Sequence, residues 1–294
     1  MLQVARLAPK TLGGSAELVQ EFLLSQQNAD GGFKDRTGRS DLYYTVFGLD
    51  SLIALQAKLP SNEIARYLEK FGDGKGLDFV HLCCLARGWA ALANLNSDSV
   101  PDRLPAVRDH LIRQIEAYRR KDGGFHPTPH DDFGTVYGCF LALGAYQDCG
   151  VEMPDPNRLT QCLNALTTED GAWANDRIVK VGSTNATAAA VTLLRNLNLR
   201  PRPGVGEWLF ARCHSQGGFL ASPSAPIPDL LSTATSLHAL AGLQMDLSIV
   251  KERCLDFVDS LWTNEGSFHG NWTDEALDSE YTFYGLLALG HLSI

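Results

Sequence analysis

The 294-residue sequence lacks several features that would assign it to a common class of protein. It has no run of five or more basic residues and a formal net charge of −9, so nucleic acid is not expected as a partner. No uninterrupted apolar segment approaches the length of about 18 residues that spans a bilayer. The first ten residues, MLQVARLAPK, contain no long apolar stretch either. We therefore expect no transmembrane segment, no signal peptide and a cytoplasmic location.

The cysteines form no recognisable framework. There are seven, an odd number, and no C-x-x-C occurs, which argues against a set of disulfides and against a ribbon-type zinc site. Most of them lie among apolar neighbours, and free cysteine is among the residue types most often buried. We predict that they are small core residues. Sustained strand-like alternation is also missing, and the sequence is 45% hydrophobic, which is ample for a sizeable core.

What the sequence does contain is a sixfold repeat. Each copy has an anchor, Asp or Ser, before an apolar run that is rich in small residues. The anchors are Asp41, Asp78, Asp131, Ser183, Asp229 and Asp278, at intervals of 37, 53, 52, 46 and 49 residues. Five copies have threonine four positions later, and five have a small residue seven positions later. Because Asp and Ser are preferred N-cap residues, each anchor is predicted to start a helix.

A second signature, a small pair followed by an aromatic residue, precedes five of the six anchors. Gly32-Phe33 and Ala172-Trp173 are examples. An amphipathic segment with helical spacing, such as SAELVQEFLLSQQ, comes before it. Each repeat is therefore predicted to be an outer helix, a turn with positive φ at glycine, a polar loop and an inner helix.

The inner helices are apolar nearly all round, which is typical of helices buried on every side. After packing on the outer helices they retain an apolar face, and closure into a ring around a central cavity would bury it. The predicted fold is all-α, an α6/α6 toroid (barrel) of about twelve helices built from six hairpins. We expect residues 1–294 to form a single domain.

The order of Gln, GGF, a polar loop, Asp and xYTxxGL in residues 31–55 resembles the repeat of the prenyltransferase and squalene-cyclase superfamily. The resemblance covers the whole chain and is nearest to the β subunits of protein prenyltransferases of the Rab geranylgeranyl type. It implies a toroid that binds an isoprenoid. The resemblance also implies a possible partner subunit built from helical repeats, because the β subunits of the family work with such a subunit.

The zinc motif of these β subunits is not preserved. The resemblance implies ligands from an Asp-x-Cys motif and from a histidine at the start of the last inner helix. These positions hold Asp229-Leu230-Leu231 and Tyr281 here. Leucine offers no lone pair, and one carboxylate does not meet the three-ligand requirement of catalytic zinc. We therefore predict no zinc and no other cofactor.

The diphosphate-binding residues of the family are kept only in part. Arg212, five residues before Gly217, matches a family arginine, but the loop lysine is missing and Ser232 replaces a tyrosine. A single arginine is a weak clamp for several negative charges. The Asp-x-Asp-Asp run of the cyclase branch does not occur with its spacing; only HDDFG (130–134) and TDEALD (273–278) come near it.

The N-termini of the inner helices should converge on one mouth of the ring, where they would also favour an anion. The candidate catalytic residues are Asp229, Asp278, Glu280, Tyr281 and His81. The candidate substrate-binding residues are Tyr43, Tyr44, Phe133, Asn185 and Arg212. The aromatic residues either line an isoprenoid tunnel or fill the ring. His81 is either an acid–base group or a hydrogen-bonded core residue.

Three functions remain open from the sequence. The first is an isoprenoid-binding, prenyltransferase-like protein that transfers a prenyl group from a prenyl diphosphate without the usual zinc. The second is a non-catalytic lipid-binding or assembly module. The third is a terpene cyclase-like or carbohydrate-active α/α-barrel enzyme, which for sugars would need paired carboxylates among Asp131, Asp229, Asp278 and Glu280.

Overall fold

The computed structural model describes residues 1–94, 104–129 and 131–294, and only the backbone of 104–106. Two short helices, α1 (Leu2–Ala5) and α2 (Pro9–Leu12), come first. Outer and inner helices then alternate six times. The outer helices are α3 (Ser15–Ser25), α5 (Ser61–Glu69), α7 (Leu104–Glu116), α9 (Pro156–Ala165), α11 (Val205–Phe210) and α13 (Ser248–Ser260). The inner helices are α4 (Leu42–Ala54), α6 (Phe79–Ala93), α8 (Val136–Asp148), α10 (Thr184–Asn196), α12 (Leu230–Gly242) and α14 (Ser279–Leu292).

The inner helices form a closed ring. Each packs on the next along the chain, and α14 packs back on α4. At the seam the Ser279 hydroxyl donates to the Tyr44 carbonyl (2.9 Å), and Arg36 of the first repeat binds Asp274 and Asp278 of the last. Helix α1 lies against both α4 and α14. The predicted toroid of six outer and six inner helices is confirmed, with α1 and α2 as additions.

Five of the six anchors are N-caps, as the sequence predicts. The side chains of Asp41, Asp78, Ser183, Asp229 and Asp278 each accept a hydrogen bond from a backbone N–H in the first turn of the following inner helix. These bonds satisfy donors that a helix N-terminus otherwise leaves unpaired.

The predicted third anchor, Asp131, is wrong, because it lies four residues before the true N-cap of α8. The N-cap of α8 is Thr135, whose hydroxyl accepts from the Gly138 N–H at 2.8 Å, and Asp131 lies in the preceding loop. Phe125 forms an antiparallel β-bridge with Thr135, just as Phe33 pairs with Asp41 in the first repeat. Thr135 therefore occupies the anchor position. The error arose because Asp131, Thr135 and Gly138 reproduce the spacing of Asp, Thr and Gly in the other copies.

The recurring threonine ties the turn to the inner helix. Thr45 Oγ1 accepts from the Phe33 N–H (2.9 Å) and donates to the Asp41 carbonyl (2.6 Å). Thr187 and Thr233 make the same pair of bonds in their repeats. In two repeats the turn widens into a two-stranded antiparallel ribbon, β1 (Phe33–Lys34) with β2 (Ser40–Asp41) and β3 (Phe219–Leu220) with β4 (Pro228–Asp229).

The aromatic residue of the turn explains the small residue seven positions after the anchor. Phe33 is fully buried and lies over Gly48, where an added Cβ would stand 2.2 Å from the ring. Phe268 covers Gly285 in the same way, at 2.4 Å. Only glycine leaves room for this approach, because protein cores are close-packed.

Six of the seven cysteines are buried, as predicted, and Cys213 is half-buried. Within the described residues, no helix has both the length and the apolar character needed to cross a bilayer. The expected absence of a transmembrane helix therefore agrees with the described part of the chain.

Candidate functional site

Helices α10 and α12 show most clearly that an accessible stripe runs along an otherwise buried inner helix. In α10 the partly accessible residues from 184 to 194 are Asn185, Ala189 and Thr192. In α12 the partly accessible residues from 230 to 240 are Leu231, Thr235 and His238. The spacing of four and then three residues marks a single helix face. These positions lie two, six and nine residues after the N-cap.

The same three positions on all six inner helices define three layers. The mouth layer is Tyr43, Val80, Tyr137, Asn185, Leu231 and Glu280. The middle layer is Phe47, Cys84, Leu141, Ala189, Thr235 and Tyr284. The far-end layer is Asp50, Arg87, Gly144, Thr192, His238 and Leu287. Except for Asp50, Cys84 and Leu287, every member keeps part of its surface accessible.

Contacts between different helices indicate that the stripes face one another around the axis. Thr235 Oγ1 donates to Asn185 Oδ1 (2.9 Å), and the Phe47 and Tyr284 ring centroids are 5.5 Å apart. Burial raises the pKa of Tyr137, and the charge of Glu280 on the opposite side of the ring raises it further. The ring interior is therefore aromatic on the side of α4, α8 and α14, and small or polar on the side of α10 and α12.

Glu280 is the acidic group of the mouth layer. The Tyr43 hydroxyl donates to Glu280 Oε1 at 2.6 Å. Burial raises the pKa of Glu280, while this hydrogen bond opposes the shift. Because its pKa is raised, this carboxyl group beside aromatic rings is a candidate proton donor.

His81 bridges the caps of two neighbouring inner helices. Its Nε2 lies 3.1 Å from Asp41 Oδ2, and its Nδ1 lies 2.8 Å from Asp78 Oδ1. The hydrogen bond to Asp41 raises the pKa of His81 most, burial opposes it, and Asp78 adds to the rise, to about 9. The imidazole is therefore charged at neutral pH and donates from both nitrogens. It clamps α4 to α6, and its predicted catalytic role stays a prediction.

A cleft of about 460 Å³ opens at the mouth, beside the first repeat. It is lined by Asp35, Arg36, Thr37, Asp41, Tyr43, Tyr44, Asp78, Val80 and His81. Both cations in this lining already have carboxylate partners. Arg36 binds Asp274 at 3.1 Å and Asp278 at 3.0 Å, and His81 binds Asp41 and Asp78.

Asp229 and Asp278 serve as caps rather than as free carboxylates. Asp229 accepts from the Ser232 N–H and the Ser232 hydroxyl, both at 2.7 Å. Asp278, 2% exposed, accepts from the Tyr281 N–H (2.8 Å) and from Arg36. Burial raises the pKa of both carboxyls, and the cap hydrogen bonds oppose the rise.

These residues do not fit a zinc ion. Both carboxylate oxygens of Asp229 are engaged by Ser232, and Leu231 brings only carbon atoms. Tyr281 stands near Asp229, but its ring packs on Gly270 and below Arg36, whose Cζ lies 5.3 Å from the ring centroid. Among the described residues, no group of three or more His, Cys, Asp or Glu side chains could hold a metal.

Two predicted binding residues lie away from the inner helices. Phe133 is not on α8, because the third anchor is Thr135; it lies in the loop, 50% exposed, with Arg177 stacked 3.9 Å from its ring centroid. Arg212 lies in the outer layer, where its guanidinium covers Trp208 at 4.7 Å. By contrast, Tyr43, Tyr44 and Asn185 lie on inner helices at the mouth, as expected.

Sequence reasoning missed Tyr137, Phe47 and Tyr284. Tyr137 takes the place assigned to Phe133 once Thr135 is the anchor. Phe47 and Tyr284 lie one turn further along their stripes, and the helical spacing of four residues from Tyr43 and Glu280 would have found them.

The far end of the ring was also missed, although it carries charge. Arg87 Nε and Nη2 both donate to Asp50 Oδ2, at 2.9 and 2.5 Å. His238 Nδ1 lies 3.0 Å from His291 Nε2, and burial lowers the pKa of these histidines to about 3 and about 4. Burial raises the pKa of Asp148, the last residue of α8, to about 6.

A ring of six outer and six inner helices with an accessible axial face is an α/α toroid. The family of the prenyltransferase alpha-alpha toroid domain matches this sequence over residues 10–86, 76–197 and 186–293. The chain belongs to this family. No curated protein matches the sequence.

Solved structures share the fold at low sequence identity. A variant of the type II terpene cyclase MstE from Scytonema, in complex with geranylgeranyl dihydroxybenzoate, is 13% identical with a TM-score of 0.65, over 97% of each chain. Candida albicans protein geranylgeranyltransferase-I, complexed with GGPP, is 14% identical with a TM-score of 0.64, over 94% of this chain and 90% of that one. The GH76A alpha-1,6-mannanase from Salegentibacter sp. HEL1_6 is 14% identical with a TM-score of 0.63, over 95% and 98%. At these identities the likeness concerns the fold alone.

Proposed function

We propose that the ring binds an uncharged isoprenoid along its axis. The observation that carries this proposal is the accessible stripe of the inner helices, which is rich in aromatic side chains in the mouth and middle layers. Ligand pockets are mostly apolar, with a few polar groups that fix orientation. Tyr43 and Glu280 supply such groups at the mouth.

Open space on the axis supports the same function. Gly144, on the stripe of α8, would meet nothing within 4 Å if it carried a Cβ. A glycine within a buried helix normally accompanies a close neighbour, as Gly48 accompanies Phe33. We interpret the space beside Gly144 as room for a ligand.

The charges of the mouth argue against a prenyl diphosphate as the ligand. A diphosphate needs several free donors of positive charge. Arg36 and His81 line the cleft, but each is already bound by two carboxylates. An alcohol or hydrocarbon of the isoprenoid class fits this mouth better than a diphosphate ester.

Two of the similar structures support an isoprenoid. The Scytonema cyclase and the Candida transferase were solved with geranylgeranyl ligands, as their descriptions state. The mannanase has the same fold, so the fold does not choose between a lipid and a sugar. The site disfavours a sugar, because glycosidases need two working carboxyl groups and Asp229 and Asp278 are engaged as caps.

Glu280 favours acid catalysis as a second function of the same site. Its carboxyl proton can pass to a carbon–carbon double bond, whose π electrons form the new C–H bond and leave a carbocation. Phe47 and Tyr284, whose ring centroids are 5.5 Å apart in the middle layer, are the aromatic groups that would stabilise such a cation. The Glu280 carboxylate, held by Tyr43, then takes back a proton from the adjacent carbon, so the reaction is an isomerisation or cyclisation without loss of atoms.

Binding of geraniol, farnesol and geranylgeraniol, followed by native mass spectrometry, tests the proposal. Gly144→Leu should fill the axis and weaken binding about tenfold or more. Gly14→Leu is the matched control, because a Cβ there also meets nothing within 4 Å but Gly14 lies on the exposed surface. Equal affinities of the two variants, or no binding by the wild type, would contradict axial binding. In D2O, Glu280→Gln should retain binding and lose incorporation of deuterium into the ligand.

A further inference from the structure

The far end of the ring carries polar side chains that the proposed function does not use. Asp50, Arg87 and His238 belong to the far-end layer, nine residues after their caps. Asp148 and His291 lie thirteen residues after theirs, one turn further along the same faces. These five side chains come from five of the six inner helices, so they surround the axis from nearly all sides.

The Asp50–Arg87 pair is only partly satisfied. Both bonds from Arg87 go to one oxygen, Asp50 Oδ2. The Asp50 side chain is 4% exposed, whereas the Arg87 side chain is 37% exposed. Within the described part of the chain, Arg87 Nη1 makes no hydrogen bond. Arg87 therefore presents an unused donor edge on the accessible face of α6.

An acceptor lies one turn beyond the layer of Arg87, on the neighbouring helix α8. Asp148, one turn after Gly144 on α8, makes no hydrogen bond or ion pair with any described residue, and it lies close enough to Arg87 for the two charges to interact. The open space beside Gly144 adjoins it on the same helix face. A donor, an acceptor and open space thus occur together at the far end.

Architecture does not require this arrangement. Carboxylates at the mouth cap helix N-termini, but the far end holds helix C-termini, where no carboxylate cap is needed. A buried ion pair stabilises a protein no better than apolar residues of similar volume do. The Arg87 side chain is 37% exposed, so part of the guanidinium stays accessible beside the pair.

We infer that the far end is a second polar subsite, which binds a hydroxyl or carbonyl oxygen at the distal end of the ligand. Arg87 donates to this oxygen, and Asp148 accepts from it if it is a hydroxyl. The α-amino group of Met1 and the side chain of Arg195 also lie within electrostatic range of this cluster, so Asp50 and Asp148 offset only part of its positive charge. This inference rests on the proposed function and narrows its ligand to an isoprenoid oxygenated at both ends.

The fold sets the distance between the two oxygen groups. The mouth and far-end layers are seven residues apart on each helix, which at 1.5 Å per residue is about 10 Å. An extended chain advances about 3.5 Å for every three bonds, so about nine bonds span the two layers. 8-Hydroxygeraniol, whose oxygens are nine bonds apart, matches this length.

The test compares the affinities of geraniol and 8-hydroxygeraniol for three proteins. Wild type should bind the diol about tenfold more tightly than geraniol. Asp50→Leu with Arg87→Met replaces the pair by apolar side chains of similar size, and it should lose the preference while still binding geraniol. Glu169→Leu with Lys180→Met is the matched control, because it removes an ion pair of 2.8 Å on the surface. The control should keep the preference.

Equal affinities of the wild type for the two alcohols would overturn the inference, as would a preference that survives in the apolar double variant. If the double variant does not fold, Asp148→Asn takes its place, and an unchanged preference in that variant overturns the role of Asp148. The two proposals fail differently. If neither alcohol binds, the proposed function is wrong; if geraniol binds and the diol gains nothing, only the far-end subsite is wrong.

Discussion

The two ends of the ring use charge in different ways. At the mouth, Asp41, Asp78, Asp229 and Asp278 each cap an inner helix, and Arg36 and His81 neutralise three of them. At the far end, Asp50, Arg87 and Asp148 lie where helices end, and capping accounts for none of them. The mouth holds more acidic residues, yet most of them serve the architecture.

This contrast teaches that the number of acidic residues at an opening is a poor guide to its chemistry. What matters is which groups remain after the backbone has been satisfied. At the mouth the remaining acidic group of the stripe is Glu280, and at the far end it is Asp148, beside the edge of Arg87 that makes no hydrogen bond with the described residues. Three predictions test the contrast.

The largest effect is expected at the far end. Arg87→Ala leaves Asp50 buried without a partner and should lower the free energy of unfolding by about 3–5 kcal/mol. Asp50→Leu with Arg87→Met should be neutral or stabilising, because it removes both charges. Urea denaturation followed by circular dichroism measures both. Equal losses in the single and double variants would mean that the pair is a structural requirement, which would erase the contrast between the ends.

A smaller effect is expected at the mouth, from the protonation of His81. The pKa of His81 rises from 6.5 to about 9 on folding, so its stabilisation is complete below pH 6.5 and is lost as the pH passes 9. Because the side chain is 30% exposed, we expect a loss of about 1–2 kcal/mol after screening by solvent. Urea denaturation from pH 6 to 10 measures it. His81→Gln should remove most of the dependence of the unfolding free energy on pH in this range. An unchanged pH dependence would argue against the proposed bridge between His81 and the two caps.

The smallest effect distinguishes a cap from a loop residue at the same mouth. Thr135→Ala removes the N-cap of α8 and should cost about 1 kcal/mol. Asp131→Ala removes a half-exposed loop carboxylate, 3.4 Å from His126 Nδ1, and should change stability by less than about 0.5 kcal/mol. Thermal unfolding of the two variants compares them directly. A larger loss of stability from Asp131→Ala than from Thr135→Ala would indicate that Asp131 is the anchor of the third repeat after all.

Most of the fold could be predicted from the sequence because each part of the repeat has a local physical cause. The cap, the threonine that ties the turn and the glycine under the aromatic ring all lie within one hairpin. The anchor of the third repeat was predicted wrongly because Thr135 stands where other repeats have a capping carboxylate, and Cys139 stands where they have threonine. The number of residues between the turn aromatic and the cap would have corrected this assignment. That separation is ten residues in Phe219–Asp229 and in Phe268–Asp278, but only six from Phe125 to Asp131.

The site could be predicted only where it coincides with a helix start. Tyr43 and Glu280 were found because they lie next to an anchor, and their contact joins residues 237 positions apart, which the repeat places at the same level. The far-end residues lie where the repeat has no signature, and only the three-dimensional stripe brings Arg87, Asp148 and His238 to the same end of the ring. A helical-repeat partner subunit stays a prediction, because its recognition would depend on the outer surface rather than on the repeat.

Closure of the ring has a consequence for the way the protein unfolds. Linear repeat arrays fray from their terminal units, since each end unit has a neighbour on one side only. Here the seam between Arg36 and Asp278 gives the first and last units a neighbour on both sides. No unit is an end, so melting cannot begin by peeling, and loss of any one hairpin exposes two faces at once. The molecule should therefore denature in a single cooperative step despite being built from six similar pieces.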